Sequence, residues 1–257
     1  MEYLIDSHAH LDDPRFDEDR DQLITQLNEL GVDLVINPGA DRTSSEKAIS
    51  LSEIYENIYA AVGTHPHDAD GFTEEDFAYY KQAASLPKVV AIGEIGLDYY
   101  YDNSPRELQK TVFRRQLELA EEVQLPVLIH SREADQDTFA LLEEFQGRVK
   151  GVMHCYSGSV EMAKRYLGLG YYISLAGPVT FKNARVPKEV AAMVPADRLL
   201  VETDSPYLSP EPKRGKRNDP SKVVYVAREI AKLRGMSYEE LAKLTRENTL
   251  RLFEKLR

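Results

Sequence analysis

The sequence predicts a (β/α)8 barrel with additional helices at its C-terminal end. Eight short apolar runs alternate with segments of helical spacing along the 257 residues. Several of these runs are almost continuously apolar, which is typical of strands buried on both faces of a parallel sheet. Eight such units in about 250 residues match the usual size of this barrel. A doubly wound open sheet is the alternative architecture that the alternation leaves open. We expect a single domain over residues 1–257.

Runs rich in β-branched and aliphatic residues mark the predicted strands. These strands are placed at residues 3–7, 33–37, 58–63, 89–94, 126–130, 150–154, 171–175 and 199–203. A first helix is predicted over residues 15–30, where apolar residues form one stripe and Gly31 follows as a C-cap.

Capping signals mark three further helices. Ser104 is predicted to open a capping box, with Pro105 at the first position of a helix that runs to Val123. Ser159 is the predicted N-cap of a helix over residues 160–169. Ser237, with Glu three residues later, is the predicted N-cap of a helix near the C-terminus.

The composition narrows the class of protein. The chain carries 32 Lys and Arg against 43 Asp and Glu, a formal charge of −11, and 42% of its residues are hydrophobic. Such a chain is too apolar for a disordered acidic tail. Its acidity argues against a general coat for nucleic acid, because affinity for the phosphate backbone comes mostly from Lys and Arg. A nuclease stays open, since a local basic strip or bound cations can offset an acidic body.

Targeting features and cysteines point to the cell interior. No apolar run reaches the roughly 18 residues that a membrane span needs, and the first ten residues have no apolar h-region. Cys155 is the only cysteine in the sequence, which excludes an internal disulfide and a cysteine-based zinc knuckle. We expect a cytoplasmic protein with no membrane contact and no obligate protein partner.

A proline-rich, basic segment follows the last predicted strand. Residues 205–220 contain four prolines together with Lys213, Arg214, Lys216 and Arg217. Proline restricts the backbone, so a semi-rigid loop is expected there. In a barrel this loop lies on the face that carries active sites. A solvated charge run and a contact for an anionic substrate are both compatible with the pattern.

All six histidines lie at the C-terminal ends of predicted strands. The two carboxylates Glu94 and Asp204 share this placement. His8 and His10 are two residues apart in a strand, so both imidazoles project to the same side. A charge at Glu94, in an otherwise apolar strand, is costly to bury unless it is paired or metal-bound. Four imidazoles and two carboxylates exceed what one tetrahedral ion requires, and they fit two ions about 4 Å apart that share Glu94. These residues are His8, His10, Glu94, His130, His154 and Asp204.

Several neighbouring residues allow two interpretations. His67 lies between Pro66 and Asp68, so it is left out as a loop histidine. Strand alternation predicts that Glu202 and Asp204 lie on one face, where bound cations would relieve the repulsion between the two carboxylates. Cys155 lies opposite His154 and is interpreted as a small packing residue. Tyr156 shares the face of His154, where it either stacks on a substrate or lines the barrel rim.

Seven segments together resemble the successive signatures of the TatD family of metal-dependent deoxyribonucleases. They occur in order from Asp6 to Pro220 and therefore cover essentially the whole chain. The segments are IDSHAHLD, GTHPHD, AIGEIGLDYY, LPVLIHSREA, GVMHCYSGS, LLVETDSPYLSP and RGKRNDP.

The resemblance implies a TIM-barrel hydrolase with two divalent cations, for which Mg, Mn, Zn and Ni are the candidates. It implies that His8, His10, Glu94 and Asp204 hold the first cation, and that Glu94, His130 and His154 hold the second. His65 and Arg132 would approach the substrate phosphate. The substrate implied is nucleic acid, DNA first, with RNA or tRNA as alternatives.

A mechanism follows as a hypothesis. The cations lower the pKa of a water that attacks phosphorus in line, with Asp204 and Glu94 as the catalytic residues and Asp204 as proton acceptor. Arg132 would bind the phosphoryl oxygens in bidentate fashion. Arg214 and Arg217 would follow the strand's backbone, and Tyr156 would stack on a base. A pocket enclosed by loops favours a strand end, so 3'-5' exonuclease action is expected.

Two other functions are kept as alternatives. The same chemistry suits a metal-dependent esterase, such as a D-aminoacyl-tRNA deacylase, or a small phosphoesterase. A non-catalytic metal- or nucleic-acid-binding module is the third candidate, and it would require the loss of a ligand somewhere in the set.

Overall fold

Eight parallel strands follow one another in sequence order around a barrel. The computed structural model describes residues 2–256. The strands are β1 (Leu4–Asp6), β2 (Val32–Pro38), β3 (Ile58–Val62), β4 (Val89–Asp98), β5 (Val127–Arg132), β6 (Gly151–Met153), β7 (Tyr172–Leu175) and β8 (Leu199–Val201).

The last strand returns to the first and nearly closes the barrel. The amide of Ser7 donates to the carbonyl of Val201 over 3.2 Å, and the amide of Asp204 donates to the carbonyl of His8 over 2.9 Å. An isolated parallel bridge joins Ala9 to Ser205. The predicted (β/α)8 barrel is confirmed, and the doubly wound open sheet is wrong.

Helices connect the strands, and two more follow β8. They are α1 (Arg20–Gln26), α2 (Arg42–Ile54), α3 (Glu74–Ala83), α4 (Arg106–Val123), α5 (Asp135–Glu144), α6 (Val160–Gly168), α7 (Arg185–Met193), α8 (Val223–Arg234) and α9 (Tyr238–Leu252). None of the helices in residues 2–256 combines the length and apolarity needed to cross a lipid bilayer.

The apolar residues form two clusters that alternate along the strands. Ile36 of β2 belongs to one cluster, whereas its neighbour Val35 belongs to the other, which packs against the helices. The first cluster fills the barrel and includes Phe253 and Leu256, which follow α9. The C-terminal segment therefore plugs one end of the barrel and leaves the C-terminal rim of the strands for the site.

The first predicted helix is shorter than expected. Only Arg20–Gln26 is α-helical, and Pro14–Phe16 forms a separate 3-10 turn whose N-cap is Asp13. Arg20 joins the two pieces, because its Nη2 donates over 3.0 Å to the carbonyl of Asp13, the N-cap of the turn. The apolar stripe belongs to two elements and not to one helix, because the fully buried Phe16 lies in the 3-10 turn.

One predicted cap is wrong and two are confirmed. Ser104 does not cap α4, because its Oγ donates to the carbonyl of His67 over 3.0 Å, and Pro105 precedes the helix without a side-chain cap. Ser159 accepts from the amide of Met162 and caps α6 as predicted. Ser237 and Glu240 form the predicted capping box of α9.

Candidate metal centre

The six predicted ligands converge at the C-terminal rim of the barrel. Five strands, or the turns that follow them, position the six side chains. His8 and His10 follow β1, Glu94 lies in β4, His130 lies in β5, His154 follows β6 and Asp204 follows β8. The side chains are largely buried, with exposed fractions from 0% for His8 to 17% for His10 and His130.

Four of these residues form a first set of donor atoms around one oxygen of Glu94. Glu94 Oε2 lies 3.3 Å from His8 Nε2 and 3.6 Å from His10 Nε2. Asp204 Oδ1 lies 3.9 Å and 3.6 Å from the same two nitrogens. The two nitrogens are 3.2 Å apart. Atoms that each lie about 2.1 Å from one cation are about 3–3.5 Å from one another, so these spacings suit a shared ion.

The other oxygen of Glu94 belongs to a second set. Glu94 Oε1 lies 2.9 Å from His130 Nδ1 and 2.8 Å from His154 Nε2. These two nitrogens are 3.4 Å apart. A single carboxylate therefore stands between two groups of imidazoles, with one oxygen turned to each.

His130 faces a carboxylate at each of its two ring nitrogens. Nε2 lies 3.1 Å from Asp98 Oδ2, and Nδ1 lies 2.9 Å from Glu94 Oε1. Burial alone would lower the pKa of His130, but the carboxylates of Asp98 and Glu94 raise it, so both nitrogens can carry a proton when no metal is bound. A cation in the second set would replace the proton on Nδ1, while Asp98 would keep the proton on Nε2, as the partner behind a metal-ligating imidazole does.

His154 also lies between two carboxylates. Its Nε2 lies 2.8 Å from Glu94 Oε1, and its Nδ1 lies 3.3 Å from Glu202 Oε1 without the geometry of a hydrogen bond. Glu202 is fully buried and also accepts from the amide of Cys155 and the hydroxyl of Ser7. Carboxylates behind the ligating imidazoles are the usual outer layer of a metal site. The donor set thus fits divalent cations.

The electrostatics of the cluster agree with this arrangement. Burial alone would raise the pKa of Glu94, but the imidazoles of His154, His65 and His8 hold it well below its usual range. Burial alone would lower the pKa of His10, but the carboxylates of Asp204 and Glu94 raise it to about 9. Without a metal, protons therefore occupy positions where a cation is expected to bind.

His65 faces the same carboxylate but carries its proton differently. Its Nδ1 accepts from the amide of His67 over 3.1 Å, so the neutral ring has its proton on Nε2. Burial lowers the pKa of His65 to about 4, which keeps the ring neutral. Nε2 lies 3.4 Å from Glu94 Oε1. His65 is therefore a hydrogen-bond donor beside the centre, in the position that the predicted phosphate contact needs.

Arg132 lies exposed at the end of β5. Its Cζ lies 4.2 Å from the ring centre of Tyr100 and 4.8 Å from that of Tyr101. Within residues 2–256 no carboxylate forms an ion pair with this guanidinium. The cation is available to an anion, as the predicted phosphate contact requires.

The basic loop contributes less than expected. Arg217 forms a bidentate ion pair with Asp19, with Nη1 2.8 Å from Oδ1, and its guanidinium also lies over Phe16. Its charge is already paired, so the predicted contact of Arg217 with a substrate backbone is not supported. Arg214 lies over the ring of Phe181 at 4.3 Å.

The predicted role of Tyr156 is wrong. The side chain is 6% exposed, its hydroxyl donates to the carbonyl of Ser159 over 2.6 Å, and its ring packs edge-on against Tyr166. Strand alternation does not extend past Met153, because Cys155 has a φ of +44°. Tyr156 therefore turns into the core. Cys155 is half-buried beside the centre and is not a core packing residue.

Alternation fails after β8 as well. Asp204 has a φ of +54°, in the left-handed region, so it does not share a face with Glu202 as predicted. Glu202 contacts His154 and Cys155, whereas Asp204 faces His8 and His10. The two carboxylates serve different imidazoles.

Asp98 is the main residue that sequence reasoning missed. Its Oδ2 contacts both His130 Nε2 and His67 Nε2, the latter over 2.9 Å, and its Oδ1 accepts from the amides of Tyr100 and Tyr101. β4 extends to Asp98, four residues past the predicted end. The spacing Glu94, Gly96, Asp98 in one strand was the signal that would have placed both carboxylates on one face.

The fold and the centre together define a metal-dependent hydrolase built on a (β/α)8 barrel. The model of the TatD-related DNase family matches residues 5–254. The uncharacterized metal-dependent hydrolase YabD of Bacillus subtilis is 49% identical, with 97% of this chain and 98% of the relative covered.

Two further comparisons agree. The 3'-5' ssDNA/RNA exonuclease TatD of Cronobacter sakazakii is 34% identical, with 98% of each chain covered. The crystal structure of YjjV, a TatD homologue from Escherichia coli K12, superposes with a TM-score of 0.92 at 33% identity, with 98% of each chain covered. The chain belongs to the TatD family of metal-dependent hydrolases.

Proposed function

We propose that this protein uses two divalent cations to hydrolyse phosphodiester bonds at the 3' end of single-stranded nucleic acid, DNA first. The observation that carries the proposal is the division of Glu94 between two donor sets, one oxygen facing each. Two cations bridged by one carboxylate suit the displacement at phosphorus, because both the attacking and the leaving oxygen need stabilisation.

The chain's own residues have separate roles. Bound cations would supply an acidified water and neutralise charge on the phosphate. Asp204 would help to hold a cation and is placed to accept the proton of a water acidified there, since 15% of its side chain is exposed against 5% for Glu94, the other carboxylate of the first set. His65 Nε2–H donates to a phosphoryl oxygen, and Arg132 binds the phosphate in bidentate fashion.

The choice of nucleic acid rests on two supports. One is the similarity to the 3'-5' ssDNA/RNA exonuclease TatD of Cronobacter sakazakii. The other is the unpaired guanidinium of Arg132 at the rim of a protein whose formal charge is −11. A local cation in an acidic body favours a phosphate at this one place and disfavours broad contact with duplex DNA.

A substrate screen tests the proposal. The purified chain is stripped with a chelator, reloaded with Mg²⁺, Mn²⁺, Zn²⁺ or Ni²⁺, and given a 5'-labelled single-stranded oligonucleotide, an RNA of equal sequence and a charged tRNA. We expect a ladder of shortened, still labelled products with at least one ion, and none with Glu94→Gln. Cleavage of the aminoacyl ester with intact oligonucleotides under every ion would overturn the proposal in favour of an esterase.

A further inference from the structure

Exposed aromatic side chains are concentrated around the metal centre. Six large hydrophobic residues of the described chain are exposed, and four of them lie in the loops that follow β4 and β8: Tyr100, Tyr101, Tyr207 and Leu208. Each exposed tyrosine presents a large apolar face to water, and a group of such faces at the rim of a site indicates a binding surface.

The tyrosines form two platforms, each with an arginine. The first platform is Tyr100 and Tyr101, half-exposed at 54% and 55%, with Arg132 stacked on both rings. The second platform is Tyr207, 47% exposed, with Arg15 at 4.2 Å from the ring centre. The charge of Arg15 is already paired with Asp13, so this platform offers a stacking face without a free cation. An exposed aromatic face suits a base, and the unpaired guanidinium of Arg132 beside the first platform also suits a phosphate.

The two platforms contact different donor sets of the centre. Tyr101 contacts the ring of His67 at 5.4 Å, and His67 is joined through Asp98 to His130 of the second donor set. Tyr207 instead contacts the ring of His10 at 6.2 Å, in the first donor set. The shared carboxylate Glu94 stands between the two sets and therefore between the platforms.

Both platforms are held by buried polar groups. Asp98 Oδ1 accepts from the amides of Tyr100 and Tyr101 over 3.0 and 2.9 Å. Asn218, which is fully buried, donates to the carbonyl of Tyr207 over 2.7 Å and to that of Thr203 over 2.9 Å. Tyr99 differs from these residues, because its hydroxyl donates to Asp137 over 2.6 Å and its side chain is only partly exposed. The rings of Tyr100, Tyr101 and Tyr207 are thus set at the rim.

We propose, on the basis of the function proposed above, that the two platforms are base-stacking subsites. They hold the unpaired bases on either side of the scissile phosphodiester. Stacking needs bases that are not paired in a duplex, so the substrate class is a single strand with a base on each side of the bond. Because every base has an aromatic face, this recognition is tolerant of sequence.

Abasic substrates test the subsites one at a time. The substrates are one oligonucleotide with all its bases, one lacking the 3'-terminal base and one lacking the base before it. The variants are Tyr100→Leu with Tyr101→Leu, and separately Tyr207→Leu, each checked for unchanged metal content and folding. We expect kcat/KM on the complete strand to fall about 10- to 100-fold for each variant.

The pattern across substrates decides the result. On one of the two abasic substrates, each platform variant should have the same kcat/KM as the natural protein, because the base that its platform would stack on is absent. On the other abasic substrate its kcat/KM should stay lower than that of the natural protein. The two platforms should differ in which abasic substrate removes the effect. Tyr→Phe at the same positions should restore kcat/KM, because the ring remains. Tyr59→Leu is the matched control, since Lys88 also lies over that ring, but Tyr59 is the second residue of β3, at the opposite end of the barrel.

Two failures are distinguishable. If the natural protein shortens the complete oligonucleotide but the platform variants match it, or lose equally on all three substrates, the base subsites are refuted and the proposed function stands. If the natural protein shortens no oligonucleotide under any ion, the proposed function fails, and the subsites fail with it.

Discussion

Replacing Asp98 by asparagine should weaken binding of one metal without unfolding the protein. Asp98 accepts four hydrogen bonds, two from backbone amides at Oδ1 and two shared with His67 and His130 at Oδ2. An asparagine oxygen can keep the two amide bonds. Its NH2 group then faces His130 Nε2 and forces the ring proton onto Nδ1, the nitrogen that points to Glu94.

The size of the effect follows from the contacts. A hydrogen bond to a charged group contributes about 1.5–3 kcal/mol, and only the bond to His130 acts directly on a ligand. Partners of this kind typically change metal affinity by about 10- to 100-fold, which is about 1.4–2.7 kcal/mol. The two figures agree, so we expect the second donor set to bind its cation about 10- to 100-fold more weakly, and the first set to be unaffected.

Competition with a chromophoric chelator measures this directly, with one weak and one tight equivalent expected for Asp98→Asn. Asp137→Asn is the matched control, because Asp137 accepts from the hydroxyl of Tyr99 in the same region and contacts no imidazole. Two equivalents bound with natural affinity by Asp98→Asn would refute the assignment of Nδ1 as the ligating nitrogen of His130.

Three further outcomes are expected. Asp204→Asn should lower kcat by about 10²- to 10⁴-fold with metal still present by elemental analysis, and natural turnover in that state would contradict its role as proton acceptor. The carboxylates raise the pKa of His10 to about 9, so metal binding at pH 7 should release protons, and metal affinity should fall as the pH falls. Calorimetry in buffers of different ionisation enthalpy measures the proton release. A metal affinity that does not change with pH would contradict this expectation. Gly96→Ala should lower the free energy of unfolding by about 3 kcal/mol or more. The reason is that Gly96 has a φ of +144° and that an added Cβ would lie 1.9 Å from the carbonyl oxygen of His130. Denaturant unfolding measures this change, and Gly71→Ala is the control because Gly71 has open space around it.

Much of the fold and the ligand set could be predicted because both depend on local patterns. Parallel strands buried on both faces leave apolar runs in the sequence, and ligands at strand ends leave histidines and carboxylates directly after those runs. His8 and His10 show this, since the convergence of the two imidazoles needs only the two-residue repeat of a strand.

The failures occurred where the backbone departs from that repeat. Positive φ angles at Cys155 and Asp204 end the alternation, so Tyr156 turned into the core and Glu202 turned to His154. Asp98 lies outside the predicted strand 89–94 because Gly93, Glu94 and Gly96 interrupt the apolar run, although β4 continues to residue 98. Pairing of Arg217 with Asp19 joins residues 198 positions apart, a contact that no local pattern encodes.

The most direct test of the account is an anomalous difference map from crystals of this protein grown with Mn²⁺. Two cations that share Glu94 predict two peaks about 4 Å apart. One peak should lie among His8, His10 and Asp204, and the other should lie beside His130 and His154. A single peak, or peaks that do not touch the Glu94 carboxylate, would contradict the central claim that one carboxylate bridges two metal sites.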